Sequence, residues 1–331
     1  MAARLQLLLI AGLVGLQWDG APIDTKLLRA ALVLPILWAM LGMLGMVRAV
    51  RHMNGLSQSG FFMMALIGAM PPLWGYFGTG NADHHAPLCA LYIWVAASML
   101  RPSPREGWVA GALLGVMTWL SPEALILAGG IYAWLGLLYV VKGEGLPFLR
   151  RMTLGAAGMA LLALVVERPP AAWLTPVYDS ISIVQVTQLF VCALAAALIG
   201  RIPARLQTTA WQRAAGGGLV GGAMLFVLWL LYPLSFYGPY ADVDPFIFTH
   251  FLPSVSEAKS PLNDHPLYVA GLFLHPMLAL ASCLLCLRGK GPIARSQALV
   301  LLMLIAVPFA LCLYQQRWFY YLYPSVALAL T

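Results

Sequence analysis

The chain has 331 residues, 61% of them hydrophobic and 9% charged, with a formal net charge of +7 and a mean hydropathy of +0.83. A soluble domain is nearer half apolar and a quarter charged, so this composition excludes an aqueous globular protein and leaves lipid as the solvent for most of the chain. The basic excess fits loops on one membrane face, and no nucleic-acid partner is expected.

In hydrocarbon every backbone N–H and C=O must be satisfied within the chain, which leaves helices or a closed barrel. The apolar runs do not alternate, so helices are expected. They fall at 4–17, 28–47, 60–77, 86–100, 107–120, 124–141, 152–166, 181–200, 214–232, 266–287, 296–314 and 318–331. The expected fold is therefore an all-α, polytopic transmembrane bundle of about 11–12 spans, with residues 1–331 forming a single transmembrane domain. Arg4 before the first run suits a signal peptide, but Leu16-Gln17-Trp18-Asp19 offers no small-residue cleavage site, so an anchor helix is expected. The last run is still apolar at Thr331. This predicts that the chain is truncated or ends at the membrane, with no soluble C-terminal domain. All five cysteines fall in apolar runs. Cys283 and Cys286 have the spacing of a redox motif, but inside a membrane helix they read as packing residues.

Assigning loops alternately from a cytoplasmic N-terminus puts 14 of the 19 basic residues on one side, which is then cytoplasmic. Ten of the twelve acids fall on the other side, among them Asp19, Asp83 and Glu257. An extracytoplasmic polar site is the expectation. The longest loop on that side, 233–265, is rich in Pro, Tyr, Asp and His, and long loops between spans are usually functional or disordered.

The candidate groups follow in chain order. Trp18-Asp19 and Asp24 stand in the first outer loop. Asn81-Ala82-Asp83-His84-His85 precedes the span at 86–100; it could supply two ligands to a divalent cation, or be an N-cap aspartate with interfacial histidines. Glu123 follows Ser121-Pro122 in a tight outer turn, where Pro122 opening a helix is reason enough for the pattern. Pro253-Ser254-Val255-Ser256-Glu257, in the long loop, reads as a capping box or as the carrier of a functional glutamate. Gln315-Gln316-Arg317-Trp318 puts an arginine at an outer membrane edge, against the charge trend; it either anchors in lipid headgroups or holds a substrate phosphate.

In this order, Asp83-His84-His85, Ser254-Val255-Ser256-Glu257 and the late Arg317 resemble the catalytic subunit of oligosaccharyltransferase and its relatives. These are membrane glycosyltransferases of the GT-C fold that use polyprenyl-phosphate-linked sugars, and the archaeal and bacterial members are the most similar in pattern. The resemblance runs over roughly residues 60–330. It implies Asp83, His85 and Glu257 as ligands of a divalent cation, Mn²⁺ or Mg²⁺, and Arg317 on the substrate phosphate. Asp83, Glu257 and Asp19 are then the catalytic acids, with Asp19 serving the acceptor. It also implies a sugar or oligosaccharide donor on a polyprenyl (di)phosphate, a protein or lipid acceptor, and a site outside a bacterial or archaeal cell membrane. The long loop would close over substrate. Two departures stand out. The family's Asp-x-Asp-like pair in the first outer loop is represented only by Asp19 and Asp24. The soluble domain with a Trp-Trp-Asp motif, which reads the Asn-x-Ser/Thr sequon, is absent from this sequence. A carrier or solute transporter (a flippase) and a non-catalytic remnant of the same fold are the competing readings. Charges confined to helix ends disfavour the transporter.

Overall fold

The computed structural model describes residues 4–17, 19–53, 75, 77–78, 83–237, 244–251, 254–291 and 293–330. The expected span at 60–77, Trp18, Asn81-Ala82 and Pro253 lie wholly or almost wholly outside these residues. Within them the regular structure is helical, with no strand. Eleven helices match the remaining apolar runs one for one. They are α1 (Arg4–Gly15), α2 (Ile23–Met53), α3 (His85–Leu100), α4 (Pro104–Leu120), α5 (Ala124–Lys142), α6 (Leu146–Glu167), α7 (Ile183–Ile199), α8 (Ala210–Leu231), α9 (Pro266–Leu287), α10 (Arg295–Tyr314) and α11 (Phe319–Leu330). Six of these (α2, α5, α6, α8, α9 and α10) are long and apolar enough to cross a membrane. The protein is a multi-pass integral membrane protein with an all-α fold.

Local chemistry sets the helix ends. Ser103 Oγ accepts from the Glu106 N–H at 3.2 Å and starts α4. Ser182 and Gln185 form a reciprocal capping box on α7, and Thr209 and Gln212 another on α8. Between α5 and α6 the chain reverses on Gly143 and Gly145, at φ +77° and +86°, a backbone region that favours glycine.

The chain divides into two compact units, residues 102–243 and residues 1–101 with 244–331. In the first, α4 and α6 run parallel along a seam of small residues. Gly107, Gly111 and Gly115 recur every fourth position and face Phe148, Met152 and Ala156. A Cβ on Gly111 would stand 2.1 Å from the Met152 carbonyl oxygen, so the backbones touch directly. Trp119 Nε1 donates to Glu167 at 2.9 Å and closes the seam at its far end. A cavity of about 290 Å³, lined mainly by apolar side chains of α5, α7 and α8, lies in the same unit.

The other unit is built around α11, whose residues Phe319 to Ala329 are all buried. A helix apolar on every side belongs in the middle of its bundle. Three hydroxyls key it to its neighbours. Tyr92 of α3 donates to the Leu304 carbonyl at 3.0 Å and lies 3.1 Å from Ser325 Oγ. Tyr323 donates to the Leu272 carbonyl at 3.0 Å, and Ser282 to the Ala329 carbonyl at 3.2 Å. α2 and α3 are parallel, with Gly42 against Ala90 and Gly45 against Trp94. At their C-terminal ends His52 Nδ1 meets the Ala97 carbonyl at 2.9 Å, and Gln297 Nε2 donates to the His52 carbonyl at 2.8 Å. α3, α9 and α11 also run parallel, so the starts of all three share one end of this unit.

Candidate metal centre

That shared end carries the ionisable groups. Asp83 and His84 immediately precede α3, and His85 is its first residue. Asp83 Oδ1 accepts from the His84 backbone N–H at 2.6 Å and lies 2.6 Å from His84 Nδ1, while Oδ2 pairs with His85 Nδ1. No side chain caps the helix start. Asp83 thus pairs with both imidazoles and also accepts from the backbone N–H of His84, the N-cap residue of α3. Burial opposes ionisation of Asp83, but hydrogen bonds and charge from both imidazoles outweigh it and hold the carboxyl well below the usual carboxylate range.

Glu257 arrives from 172 residues further along the chain. Its Oε2 lies 3.4 Å from His85 Nε2, across the ring from the nitrogen that meets Asp83. The Ser-Val-Ser-Glu string does not cap a helix, because only a three-residue 3-10 turn, Ser256–Ala258, is formed there. Tyr320, in the first turn of α11, sets its ring against His85 edge-on, with centroids 4.7 Å apart. The imidazole of His85 is thus a buried floor, its side chain 5% exposed, beneath a partly open rim of Asp83, His84 and Glu257.

The donor set suits a divalent cation. Ligand atoms of Asp83, His84 and His85 lie within 4.8 Å of one another, and the His85–Glu257 separation is about that of two neighbouring ligands bonded at 2.0–2.2 Å to one ion. Carboxylate oxygen mixed with imidazole nitrogen matches Mn²⁺ or Zn²⁺ better than an all-oxygen cage for Ca²⁺. The contact from Asp83 to His85 Nδ1 also fixes the ring so that Nε2 faces Glu257.

Arg317 lies in the 3-10 turn Gln316–Trp318, which packs against the turn that carries Glu257. Three residues on, Tyr320 touches His85. The structure therefore brings Asp83, His85 and Glu257 together and puts the backbone of Arg317 beside them. Asp19 is not part of this group. It sits in the exposed turn between α1 and α2, paired with Arg29 and accepting from the Ala21 N–H. The Arg29 hydrogen bond lowers its pKa. Asp24, in the first turn of α2, is 18 residues before Gly42, whereas His85 is only five before Ala90, the residue level with Gly42. At about 1.5 Å per residue that offsets Asp24 from His85 by about 20 Å along the helix direction. Glu123 is buried at the start of α5, in the other unit.

Sequence reasoning missed Tyr320 and the contact between Gln316 and Asp264. The aromatic run Trp318-Phe319-Tyr320-Tyr321 directly after Arg317 was the available signal for the first. Nothing local marked the second.

The sequence matches no family model and no curated protein. Its fold matches solved structures of the oligosaccharyltransferase AglB from Archaeoglobus fulgidus. The form in complex with an inhibitory peptide and a dolichol-phosphate aligns with a TM-score of 0.73 at 14% identity, over 99% of this chain and 42% of that one. The apo form aligns with a TM-score of 0.71 at 15% identity, over 99% and 41%. A complex with Zn and sulfate aligns with a TM-score of 0.61 at 14% identity, over 99% and 39%. This chain thus has an oligosaccharyltransferase-like GT-C fold and spans about two-fifths of the length of the chains that share it.

Proposed function

We propose that this protein is a metal-dependent membrane glycosyltransferase that moves a sugar or oligosaccharide from a polyprenyl (di)phosphate to an acceptor on the extracytoplasmic face. The observation that carries the reading is the convergence of Asp83, His85 and Glu257 beside the turn of Arg317, in a fold shared with an oligosaccharyltransferase. Two of the related structures fit the proposed ligands: one holds a dolichol-phosphate and a peptide, another Zn and sulfate.

In the proposed reaction the acceptor's nucleophilic atom bonds to the anomeric carbon as the anomeric C–O bond breaks. The bonding pair leaves on the phosphate oxygen, and the acceptor proton passes to a carboxylate. A divalent cation at this site supplies positive charge where the leaving phosphate becomes negative. His85 Nε2 and Glu257 would hold it; Asp83 orients the imidazole through Nδ1 and would join as a third ligand only on turning from that nitrogen. The planar fork of Arg317 pairs with two phosphate oxygens at once, which a lysine does not do. The phenol ring of Tyr320 shields the buried edge of His85 from water. Asp19 is assigned to the acceptor as a carboxylate of the first outer loop. From its described position this requires that α1 and α2 rearrange when substrate binds. The cavity in the other unit is mainly apolar, which does not suit the passage of a polar solute.

The test is release of sugar from a polyprenyl-diphosphate donor by purified protein, with Mn²⁺ present or chelated, for parental protein and for Glu257→Gln and Asp83→Asn. Metal-dependent turnover lost in both variants supports the assignment. Parental protein that turns over no donor, with or without metal, refutes it.

A further inference from the structure

Glu257 is held in place by a clasp outside the metal ligands. Gln316 spans it. The Gln316 backbone N–H donates to the Lys259 carbonyl at 2.9 Å, and its side-chain Nε2 donates to Asp264 Oδ2 at 2.6 Å. Between these two points Ser260 Oγ donates to the Leu313 carbonyl at 2.7 Å. Segment 259–264 is therefore fixed at three places to the end of α10 and the turn that follows it. The turn Ser256–Ala258, with Glu257, leads directly into this segment. Gln316 is also the immediate neighbour of Arg317.

We infer that Gln316 is a positioning residue that sets Glu257 against His85 and, through the same turn, sets Arg317 beside them. The inference rests on the metal-centre reading above. The reasoning is geometric. A carboxylate on a three-residue turn has no helix or sheet to hold it, so its place depends on what fastens the flanking chain. One residue fastens that chain by backbone and side chain at once, at points five residues apart. The side-chain bond runs from an uncharged amide to a carboxylate, so donor and acceptor can be exchanged between the two positions.

The experiment measures Mn²⁺ affinity of the full chain in detergent, by the EPR signal of free Mn²⁺, with thermal unfolding recorded alongside. Gln316→Ala and Asp264→Ala are expected to weaken Mn²⁺ binding by about tenfold, the lower end for loss of a partner outside the ligand shell. Gln316→Glu, which opposes two carboxylates, should weaken it more. Combining Gln316→Glu with Asp264→Asn restores one amide facing one carboxylate and should return affinity to within about threefold of parental. Should Gln316→Ala fail to fold, Gln316→Asn keeps the backbone bond and shortens the reach by one methylene, with the same expected direction. Unchanged Mn²⁺ affinity in the clasp variants, with binding still lost in Glu257→Gln, overturns the inference and leaves the metal centre standing. So does a loss that the double exchange does not restore. Binding unaffected by Glu257→Gln and Asp83→Asn overturns the metal centre itself, and this inference with it.

Discussion

Gly111→Ala tests the α4–α6 seam most directly. The added methyl carbon would meet the Met152 carbonyl oxygen at 2.1 Å, its carbonyl carbon at 2.8 Å and its Cα at 2.9 Å, all of them backbone atoms that cannot rotate away. Reaching an ordinary contact near 3.4 Å requires the two helices to part by about 1.3 Å at this point. A gap of about 0.5–1 Å already forfeits a quarter to a half of the dispersion energy of the contacts it opens. The tight contacts at Gly107 and Gly115 would open with it. Overpacking a well-fitted interior costs about 1–3 kcal/mol, and a backbone obstacle belongs at the upper end, about 3 kcal/mol. At roughly 2 °C per kcal/mol for a large domain the melting midpoint should fall by about 6 °C. Gly158→Ala on α6 is the control, because nothing lies within 4 Å of its added carbon. Both variants are melted in one detergent, followed by intrinsic tryptophan fluorescence. A Gly111→Ala midpoint within 1 °C of the Gly158→Ala midpoint would refute the direct backbone contact.

Ser182→Ala should lower stability by about 2 kcal/mol in the same melt, since this fully buried hydroxyl donates to the Val177 carbonyl at 2.6 Å and also accepts from the Val184 N–H. Arg317→Lys should raise the donor KM by about tenfold in the sugar-release assay, because a lysine keeps the charge but loses the two-pronged contact; an unchanged KM would remove Arg317 from the phosphate. Tyr320→Phe should keep the Mn²⁺ affinity within about threefold, whereas Tyr320→Leu, which loses the flat edge against His85, should lower it by about tenfold. Chelation should abolish turnover, and added Mn²⁺ should restore it; turnover that survives chelation argues against a metal-dependent reaction.

The helices were legible because lipid imposes a length and forbids unsatisfied backbone, so each described apolar run became a helix. Ile23–Met53 and Leu146–Glu167 nonetheless start five and six residues before the expected 28 and 152, and the first also ends six residues past 47. Their partners were not legible. Gly107, Gly111 and Gly115 show a spacing of four in the sequence, but nothing there says that the matching surface is α6 and not the adjacent α5. Asp83-His84-His85 stood out by its chemistry, yet either reading of Asp83 used the same residues. In the structure the carboxylate pairs with both imidazoles while still accepting from the His84 N–H, a geometry that the string of residues does not dictate. The meeting of Glu257 with His85 across 172 residues came from resemblance to a family pattern, since no local rule reaches that far. Asp19 shows the opposite case. It lies in the turn between α1 and α2, as the apolar runs predicted, but its pairing with Arg29, ten residues away near the start of α2, was not read from the sequence.

The parallel seam of α4 and α6 also constrains the order in which this protein can be made. Two parallel helices cannot be joined by a short turn, so α5 must run back along the unit before the glycine face of α4 meets its partner. Until then that face lacks its partner. Association waits on the synthesis of the 36 residues from the end of α4 at Leu120 through Ala156. A delay or pause in translation beyond α6 would therefore leave the seam time to close, whereas one placed within α5 would hold α4 without its partner.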